Sequence, residues 1–226
     1  MTADSSGVSE GGLPQPPAAA EDVFGALLPV ATEFVARLAT DGVTRGLIGP
    51  REVPRLWERH LLNSAVVGEA VPDGARVVDV GSGAGLPGIP LGIARPDLEL
   101  VLLEPMARRV EFLEEVVAAL AGPAGLRWRV VRGRAEERSV AKAVGAVDVV
   151  TARAVAPLPR LVGWCRGLMR PGAQLVALVG ASALAELPSL VPELEAAGMR
   201  DVHARAVGAG LGDAATTVVV MTRGAR

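Results

Sequence analysis

This chain of 226 residues has no tyrosine, one cysteine and one lysine, and aromatic side chains make up only 3% of it. The single thiol, Cys165, excludes an internal disulfide framework and a cysteine-based zinc site, and it is typical of a reducing compartment. Basic residues are absent before Arg37, which removes the usual features of a secretory signal and of a transit peptide. No uninterrupted apolar run reaches the ~18 residues of a membrane helix. We therefore expect a cytoplasmic protein without a membrane partner.

An excess of positive charge is also lacking, since 23 basic and 25 acidic residues give a net charge of −2. Any contact with nucleic acid must then come from a local patch. All basic residues except Lys142 are arginines. This bias fits phosphate recognition by guanidinium groups, and it equally fits a GC-rich coding bias. The 50% of hydrophobic residues suffices for the core of one domain of this length.

Three regions of the sequence differ in composition and in the spacing of their apolar residues. Residues 1–20 are rich in Gly, Pro, Ser and Ala, which predicts a disordered tail. Residues 21–71 have apolar positions at helical spacing, which predicts an N-terminal helical cap. In residues 72–226, short β-branched runs alternate with amphipathic stretches, as in a mainly parallel sheet covered by helices on both faces. The last two of seven predicted strands form an antiparallel hairpin; the seven are residues 75–80, 98–104, 126–131, 147–153, 174–179, 201–207 and 215–223.

A glycine-rich loop follows the first predicted strand. It reads D-x-G-x-G-x-G, from Asp79 through Gly81, Gly83 and Gly85. The third glycine of a dinucleotide fingerprint would fall at Leu86, and no Gly-Lys-Ser/Thr follows, so NAD is disfavoured and a P-loop is excluded. A ligand without a pyrophosphate remains, and S-adenosylmethionine (SAM) is such a ligand.

The second predicted strand ends in Glu104, 23 residues after Gly81. A carboxylate at this distance can accept hydrogen bonds from the 2′,3′-diol of a ribose. The alternative is a tight turn that binds no ligand. The succession of strand, loop, helix, strand and terminal acid favours the cofactor site.

Five segments between residues 45 and 180 form a specific set of motifs. They are RLWERHLLNS (55–64), DVGSGAGLPGIPLGI (79–93), RRVEFL (108–113), GRAEE (133–137) and ARAVAPL (152–158). Together they resemble the RsmG (GidB) family, the guanine-N7 methyltransferases of small-subunit ribosomal RNA. The resemblance implies a Rossmann-like class I methyltransferase fold, SAM as cofactor, and 16S rRNA or the small ribosomal subunit as partner. We expect the enzyme to be a monomer.

The resemblance also implies which residues contact SAM. In the family they fall on the glycine loop, on the Ala135-Glu136 pair after the third strand and on Arg153 at the end of the fourth, and Glu104 matches the acidic position. Arg153 would hold the methionine carboxylate or an RNA phosphate, or it is a strand-end arginine paired with an acid. The predicted cofactor site comprises Gly81, Gly83, Leu86, Glu104, Ala135, Glu136 and Arg153.

Arginines are the candidates for RNA contacts. Arg51, Arg55 and Arg59 are four residues apart, so on an α-helix they would share one face. The arginines of that face either bind successive RNA phosphates or form an ordinary solvated face with ion pairs to nearby acidic residues. Arg134, inside the motif GRAEE, is the strongest candidate for a substrate contact.

Few side chains are candidates for chemistry. His60 is expected to be a packed or capping residue and not a base. Of Trp57, Trp128 and Trp164, most are expected in the core, with Trp57 the least certain, although any of them could stack on a base. Guanine N7 already carries a lone pair and no proton, so its methylation needs alignment of the reactants and not a general base. We therefore predict no catalytic acid or base.

The sequence thus predicts a SAM-dependent methyltransferase acting on N7 of a guanine in a loop of 16S rRNA. Two alternatives stay open. One is a SAM-dependent methyltransferase of a small molecule or protein. The other is a non-catalytic RNA- or ribosome-binding module that retains the fold.

Overall fold

One seven-stranded sheet organises the chain, and the computed structural model describes residues 12–153 and 155–225. The strands are β1 (Arg76–Val80), β2 (Glu99–Glu104), β3 (Arg127–Arg132), β4 (Val147–Arg153), β5 (Met169–Leu178), β6 (Met199–Val207) and β7 (Thr216–Arg223). Their order across the sheet is β3-β2-β1-β4-β5-β7-β6. The first five strands pair in parallel, and β7 is antiparallel to both β5 and β6. The predicted fold class, with its C-terminal antiparallel strands, is confirmed.

Helices precede the sheet and connect its strands. They are α1 (Ala18–Phe24), α2 (Leu28–Arg37), α3 (Asn63–Ala65), α4 (Gly88–Ala94), α5 (Ala107–Leu120), α6 (Arg138–Val144), α7 (Leu158–Cys165) and α8 (Ala181–Ala196). In the N-terminal region they alternate with 3₁₀ and π segments. The 3₁₀ segments there are Gly25–Leu27, Pro50–Arg55 and Val66–Ala70, and the π segments are Leu38–Gly42 and Leu56–Leu62.

The alternation of side chains along the strands divides the core into two layers. Val77, Leu100 and Leu102 face the layer that holds the N-terminal helices, α4 and α5. Val78 and Val101 face the opposite layer, under α6, α7 and α8. Because a strand directs successive side chains to opposite faces, nearly continuous apolar strands require helices on both sides.

The ordered N-terminal region begins before the predicted boundary at residue 20. Helix α1 starts at Ala18. The Trp57 indole Nε1 donates a hydrogen bond to the carbonyl oxygen of Pro14 over 2.9 Å. The prediction of a disordered tail was therefore too long at its C-terminal end, and residues 1–11 lie outside the described residues.

The helical run from Ala18 to Gly42 passes the length and composition test for a membrane-spanning helix. It has 25 residues, its most apolar window of 18 residues has a mean hydropathy of 1.4, and 28% of that window is buried inside the protein. Phe34, Val35 and Leu38 from this run lie in the core beside the sheet, at 0%, 1% and 0% exposure. The most apolar face of the run is thus covered by the protein itself.

The segment that carries Arg51, Arg55 and Arg59 is not an α-helix, so the predicted common face is wrong. Pro54 has no N–H to donate and disfavours the α-helical hydrogen-bond pattern, and the chain forms a 3₁₀ segment that passes into a π segment at Leu56. Four residues in a 3₁₀ helix turn through about 480°, which separates Arg51 from Arg55 by about a third of a turn. All three arginines are exposed.

Candidate functional site

A cavity of about 360 Å³ opens at the carboxyl ends of the parallel strands. Its walls come from the segments that follow β1, β2, β3 and β4, with α7 closing one side. Ligands bind at this edge in open parallel sheets, where the strand order reverses between β1 and β4. The lining residues are Val80, Gly81, Leu103, Glu104, Pro105, Met106, Arg109, Gly133, Arg134, Ala135, Glu136, Arg153, Val155 and Trp164.

The glycine loop is bound to the end of β2. The backbone N–H groups of Gly81 and Ser82 donate to the carbonyl oxygen of Leu103 over 2.8 and 3.1 Å. Gly81 and Gly83 have φ of +70° and +58°, values that residues with a side chain rarely adopt. A Cβ on Gly81 would also come within 3.0 Å of the Val155 side chain. Glycine therefore lets the loop turn sharply and keeps the cavity floor open.

Glu104 ties the loop to the start of the next helix. Its Oε2 accepts from the backbone N–H of Gly83 over 3.0 Å, and its Oε1 accepts from that of Met106 over 3.0 Å. The side chain is nearly inaccessible, yet it lines the cavity. Each carboxylate oxygen keeps a further lone pair, so the group can still accept hydrogen bonds from a ligand.

Asp79 supports the loop from behind. Its Oδ2 accepts from the backbone N–H of Gly88 over 3.1 Å, and its Oδ1 accepts from the Thr151 hydroxyl over 3.2 Å. Complete burial raises the pKa of Asp79 to about 6, against the lowering effect of these hydrogen bonds. The side chain is absent from the cavity wall, so its role is to hold the loop and α4 against β4.

Arg153 is a partly buried cation of the site. It projects from the end of β4 into the cavity wall, and its Nη2 lies 3.1 Å from Nδ1 of His60. Burial lowers the pKa of this guanidinium, although the charge of Asp79 raises it. Among the described residues no carboxylate lies within 4.0 Å of it. An arginine with a neutral partner and no ion pair is suited to binding an anion from outside the chain.

The fold brings most of the predicted site residues together. Those that line the cavity are Gly81, Glu104, Arg134, Ala135, Glu136 and Arg153. Gly83 lies beside the cavity and is held by Glu104. Leu86 does not line it, because its side chain packs in the core at 6% exposure. Arg55 and Arg59 lie outside the cavity on the protein surface.

Sequence reasoning assigned no role to Arg109 or Met106. Arg109 lies in the first turn of α5, with Nη1 3.8 Å from Oε2 of Glu104. Met106 directly precedes α5 and is 42% exposed. The motif RRVEFL was a signal for Arg109, since it begins four residues after the acid that ends β2.

The three tryptophans and the single thiol differ in burial and therefore in role. Trp57 and Trp128 are core residues at 1% and 8% exposure. Trp164 is half-buried and forms part of the cavity wall, next to apolar surface from Ala135 and Val155. Cys165 is fully buried, and burial raises the pKa of its thiol to about 12, so it is unreactive at neutral pH.

Two solved methyltransferase structures share this architecture. An O-methyltransferase family protein from Burkholderia thailandensis superposes with a TM-score of 0.57 at 17% identity, over 91% of this chain and 70% of that one. Precorrin-6y C5,15-methyltransferase from Geobacter metallireducens gives a TM-score of 0.50 at 16% identity, over 78% and 90% of the two chains. The fold is that of the class I, Rossmann-like methyltransferases.

Sequence comparison narrows the class to one family. The family model described as rRNA small subunit methyltransferase G (GidB) matches residues 28–213. Ribosomal RNA small subunit methyltransferase G of Corynebacterium jeikeium is 51% identical over 91% of this chain and 90% of its own length. That of Mycobacterium marinum is 52% identical over 91% and 89%. The chain belongs to the rRNA small subunit methyltransferase G family, which confirms the family and the enzyme class predicted from the motifs.

Proposed function

We propose that this chain transfers the methyl group of SAM to N7 of a guanine in small-subunit ribosomal RNA. One observation carries the proposal. In a chain of this family, four strand ends bring Gly81, Glu104, the Ala135-Glu136 pair and Arg153 around a single cavity. These groups match the parts of SAM in chemical type, and the cavity walls offer both apolar and charged surface.

Each part of the donor has a partner in the cavity. Glu104, with a free lone pair on each oxygen, accepts hydrogen bonds from the ribose diol. Ala135 and Trp164 supply apolar surface for the adenine ring, and Glu136 accepts a hydrogen bond from its exocyclic amine. Arg153, which has no ion pair within the described residues, binds the methionine carboxylate.

The chain contributes positioning to the reaction. SAM supplies a sulfonium methyl group. The lone pair of guanine N7 forms the new N–C bond while the S–C bond breaks with its electrons going to sulfur, so positive charge moves from sulfur to the purine. No proton moves in this step. Holding the reacting atoms ~3 to 3.5 Å apart and in line can lower the barrier by about 7 to 11 kcal/mol.

The RNA surface borders the mouth of the cavity. A second depression next to it is lined by Pro105, Met106, Arg132, Gly133, Arg134 and Glu137. Arg134 lines both and is exposed, so it can contact a phosphate beside the target base. In A-form RNA the N7 edge lies in a deep, narrow groove, so the target base must lie in a loop or be flipped out. Arg55 and Arg59 extend the positive surface as separate contacts.

Methyl transfer from labelled SAM to 30S subunits of a strain that lacks this methyltransferase tests the proposal. We expect RNase-sensitive incorporation, with the label mapping to N7 of one guanine in 16S rRNA. RNase-resistant incorporation would instead support a protein or small-molecule substrate. RNA binding without incorporation would support a non-catalytic module.

A matched pair of variants locates the RNA surface. Arg134→Ala removes an exposed arginine at the cavity mouth, and Arg200→Ala removes an exposed arginine on β6, at the far edge of the sheet. We expect the first to raise KM for the 30S subunit several-fold with unchanged SAM affinity, and the second to leave both unchanged. Equal effects of the two variants would contradict a role of Arg134 in RNA binding.

A further inference from the structure

His60 connects the cavity to the N-terminal region through two hydrogen bonds. It lies in the π segment Leu56–Leu62 and is 9% exposed. Its Nδ1 lies 3.1 Å from Nη2 of Arg153, and its Nε2 lies 2.9 Å from Oε2 of Glu52. These contacts link Glu52 through His60 to Arg153. Among the described residues, Arg153 is the only guanidinium that β4 contributes to the cavity wall.

The chemistry of the two partners fixes the tautomer of His60. A guanidinium has only donors, so the contact with Arg153 requires a lone pair on Nδ1. A carboxylate has only acceptors, so the contact with Glu52 requires the proton on Nε2. The imidazole is therefore neutral and has its proton on Nε2. Burial, followed by the nearby charge of Arg153, lowers the pKa of His60, although Glu52 raises it, and this direction agrees with a neutral ring.

A neutral acceptor orients Arg153 without neutralising it. A carboxylate in the position of His60 would form an ion pair with the guanidinium and compete with an incoming anion. Imidazole instead holds one N–H and leaves the positive charge and the remaining N–H donors for a ligand. His60 does not line the cavity, and both of its nitrogens are engaged, so it is not placed to act as a base toward the substrate.

We propose that His60 is a positioning residue, which holds the Arg153 guanidinium in the orientation that receives the carboxylate of the methyl donor, while Glu52 fixes the tautomer that makes this possible. The inference rests on the proposed function, since it assumes that SAM occupies the cavity. In this inference His60 contributes to the reaction only through the side chain of Arg153.

Two isosteric variants separate the two hydrogen bonds. In His60→Asn the amide oxygen takes the place of Nδ1 and still accepts from Arg153, but the side chain no longer reaches Glu52. In His60→Gln the amide nitrogen takes the place of Nε2 and still donates to Glu52, but the acceptor for Arg153 is lost. Two ligands separate the carboxylate from the rest of the donor: SAM, and decarboxylated SAM, which has the same adenosine and sulfonium.

Calorimetric titration of the full chain tests the role of each hydrogen bond. For SAM, His60→Gln should raise Kd about tenfold, the size of one charge-assisted hydrogen bond, while His60→Asn stays within about twofold of the wild type. For decarboxylated SAM, both variants should bind as the wild type does. Equal weakening of both ligands by His60→Gln, or a loss in His60→Asn as large as that in His60→Gln, would overturn the inference. Failure of the wild type to bind SAM would refute the proposed function instead.

The wild-type protein offers an independent test that needs no variant. The ¹⁵N shifts of the two imidazole nitrogens distinguish the tautomers, and the chain has only His60 and His203 to assign. At pH 7 we expect the His60 proton on Nε2, and on Nδ1 a shift typical of an acceptor. A proton on Nδ1, in either the neutral or the charged ring, would overturn the inference.

Discussion

Glu104 accepts hydrogen bonds from two backbone N–H groups and is also the proposed partner of the ribose. Glu104→Ala removes both functions, so we expect Kd for SAM to rise at least about tenfold, with the far-UV circular dichroism unchanged. Calorimetric titration measures the first and a spectrum the second. Glu114→Ala, an exposed acid on α5, is the control and should bind SAM normally. Unchanged affinity in Glu104→Ala would refute the ribose role.

Asp79 makes stability depend on pH in the direction opposite to an ordinary ion-paired acid. Its pKa in the folded protein is about 6, above the reference value of 3.8. Protonation therefore favours the folded state. The contribution is fully present below pH 4 and is lost as the pH rises through about 6.

Asp79→Asn removes this titration. From pH 5 to pH 8, we expect the free energy of unfolding of the wild type to fall by roughly 1 to 2 kcal/mol relative to the variant. Urea denaturation of both proteins at several pH values measures the difference. A difference that is constant with pH would show that Asp79 is already ionised at pH 5.

The residues of the candidate site that could be predicted are those whose place follows from topology. Glu104 and Arg153 end parallel strands, and the carboxyl ends of such strands meet at one edge. The contact between His60 and Arg153 could not be predicted, because it joins residues 93 positions apart and depends on the π geometry of the segment that carries His60. Spacing along the chain holds no information about such a contact.

At the scale of elements, α4 packs against the sheet through a glycine. An ideal Cβ on Gly92 would lie 2.7 Å from Nε1 of Trp128 and 3.1 Å from Cδ2 of Leu100. Gly163 in α7 has no atom within 4 Å of the same position. The two helical glycines therefore differ in the space beside them.

This difference predicts opposite effects of one substitution. Gly92→Ala should destabilise the protein by about 1 to 3 kcal/mol, because overpacking outweighs the gain of about 1 kcal/mol in helix propensity. Gly163→Ala should be stabilising by about 0.5 to 1 kcal/mol. Chemical denaturation measures both. Stabilisation by Gly92→Ala would mean that Trp128 moves aside at little cost.

Elements with strong patterns could be predicted closely, and those with local exceptions could not. β2 was expected at 98–104 and is found at Glu99–Glu104, because a buried parallel strand is a continuous apolar run. β5 begins at Met169, five residues before the predicted start, since Pro171-Gly172 has the composition of a turn. The 3₁₀ and π segments of the N-terminal region escaped prediction, because apolar spacing does not distinguish them from an α-helix.

At the scale of the whole molecule, the N-terminal helices and the sheet share one core. Phe34 and Trp57 belong to the same apolar cluster as Val77 and Leu100. Across this boundary Arg45 donates two hydrogen bonds to the Glu115 carboxylate on α5. A helical region that shares its core with the sheet has no separate hydrophobic interior, so the two should unfold together.

Trp57 reports directly on this cooperativity. In Trp128→Phe/Trp164→Phe, the remaining indole lies in the N-terminal region and donates to Pro14. We expect its fluorescence and the far-UV circular dichroism to give coincident urea transitions with the same midpoint. A fluorescence transition at lower urea concentration would show that the helical region unfolds first.

The placement of β7 governs the order in which the nascent polypeptide can complete its sheet. β7 lies between β5 and β6, although the ribosome makes it last of the three, and β6 pairs with β7 alone. Until Thr216–Arg223 has emerged, the outer edge of β5 stays open and β6 has no strand to join. A premature stop codon a dozen residues from the end would thus detach two strands, and the exposed edge would invite aggregation.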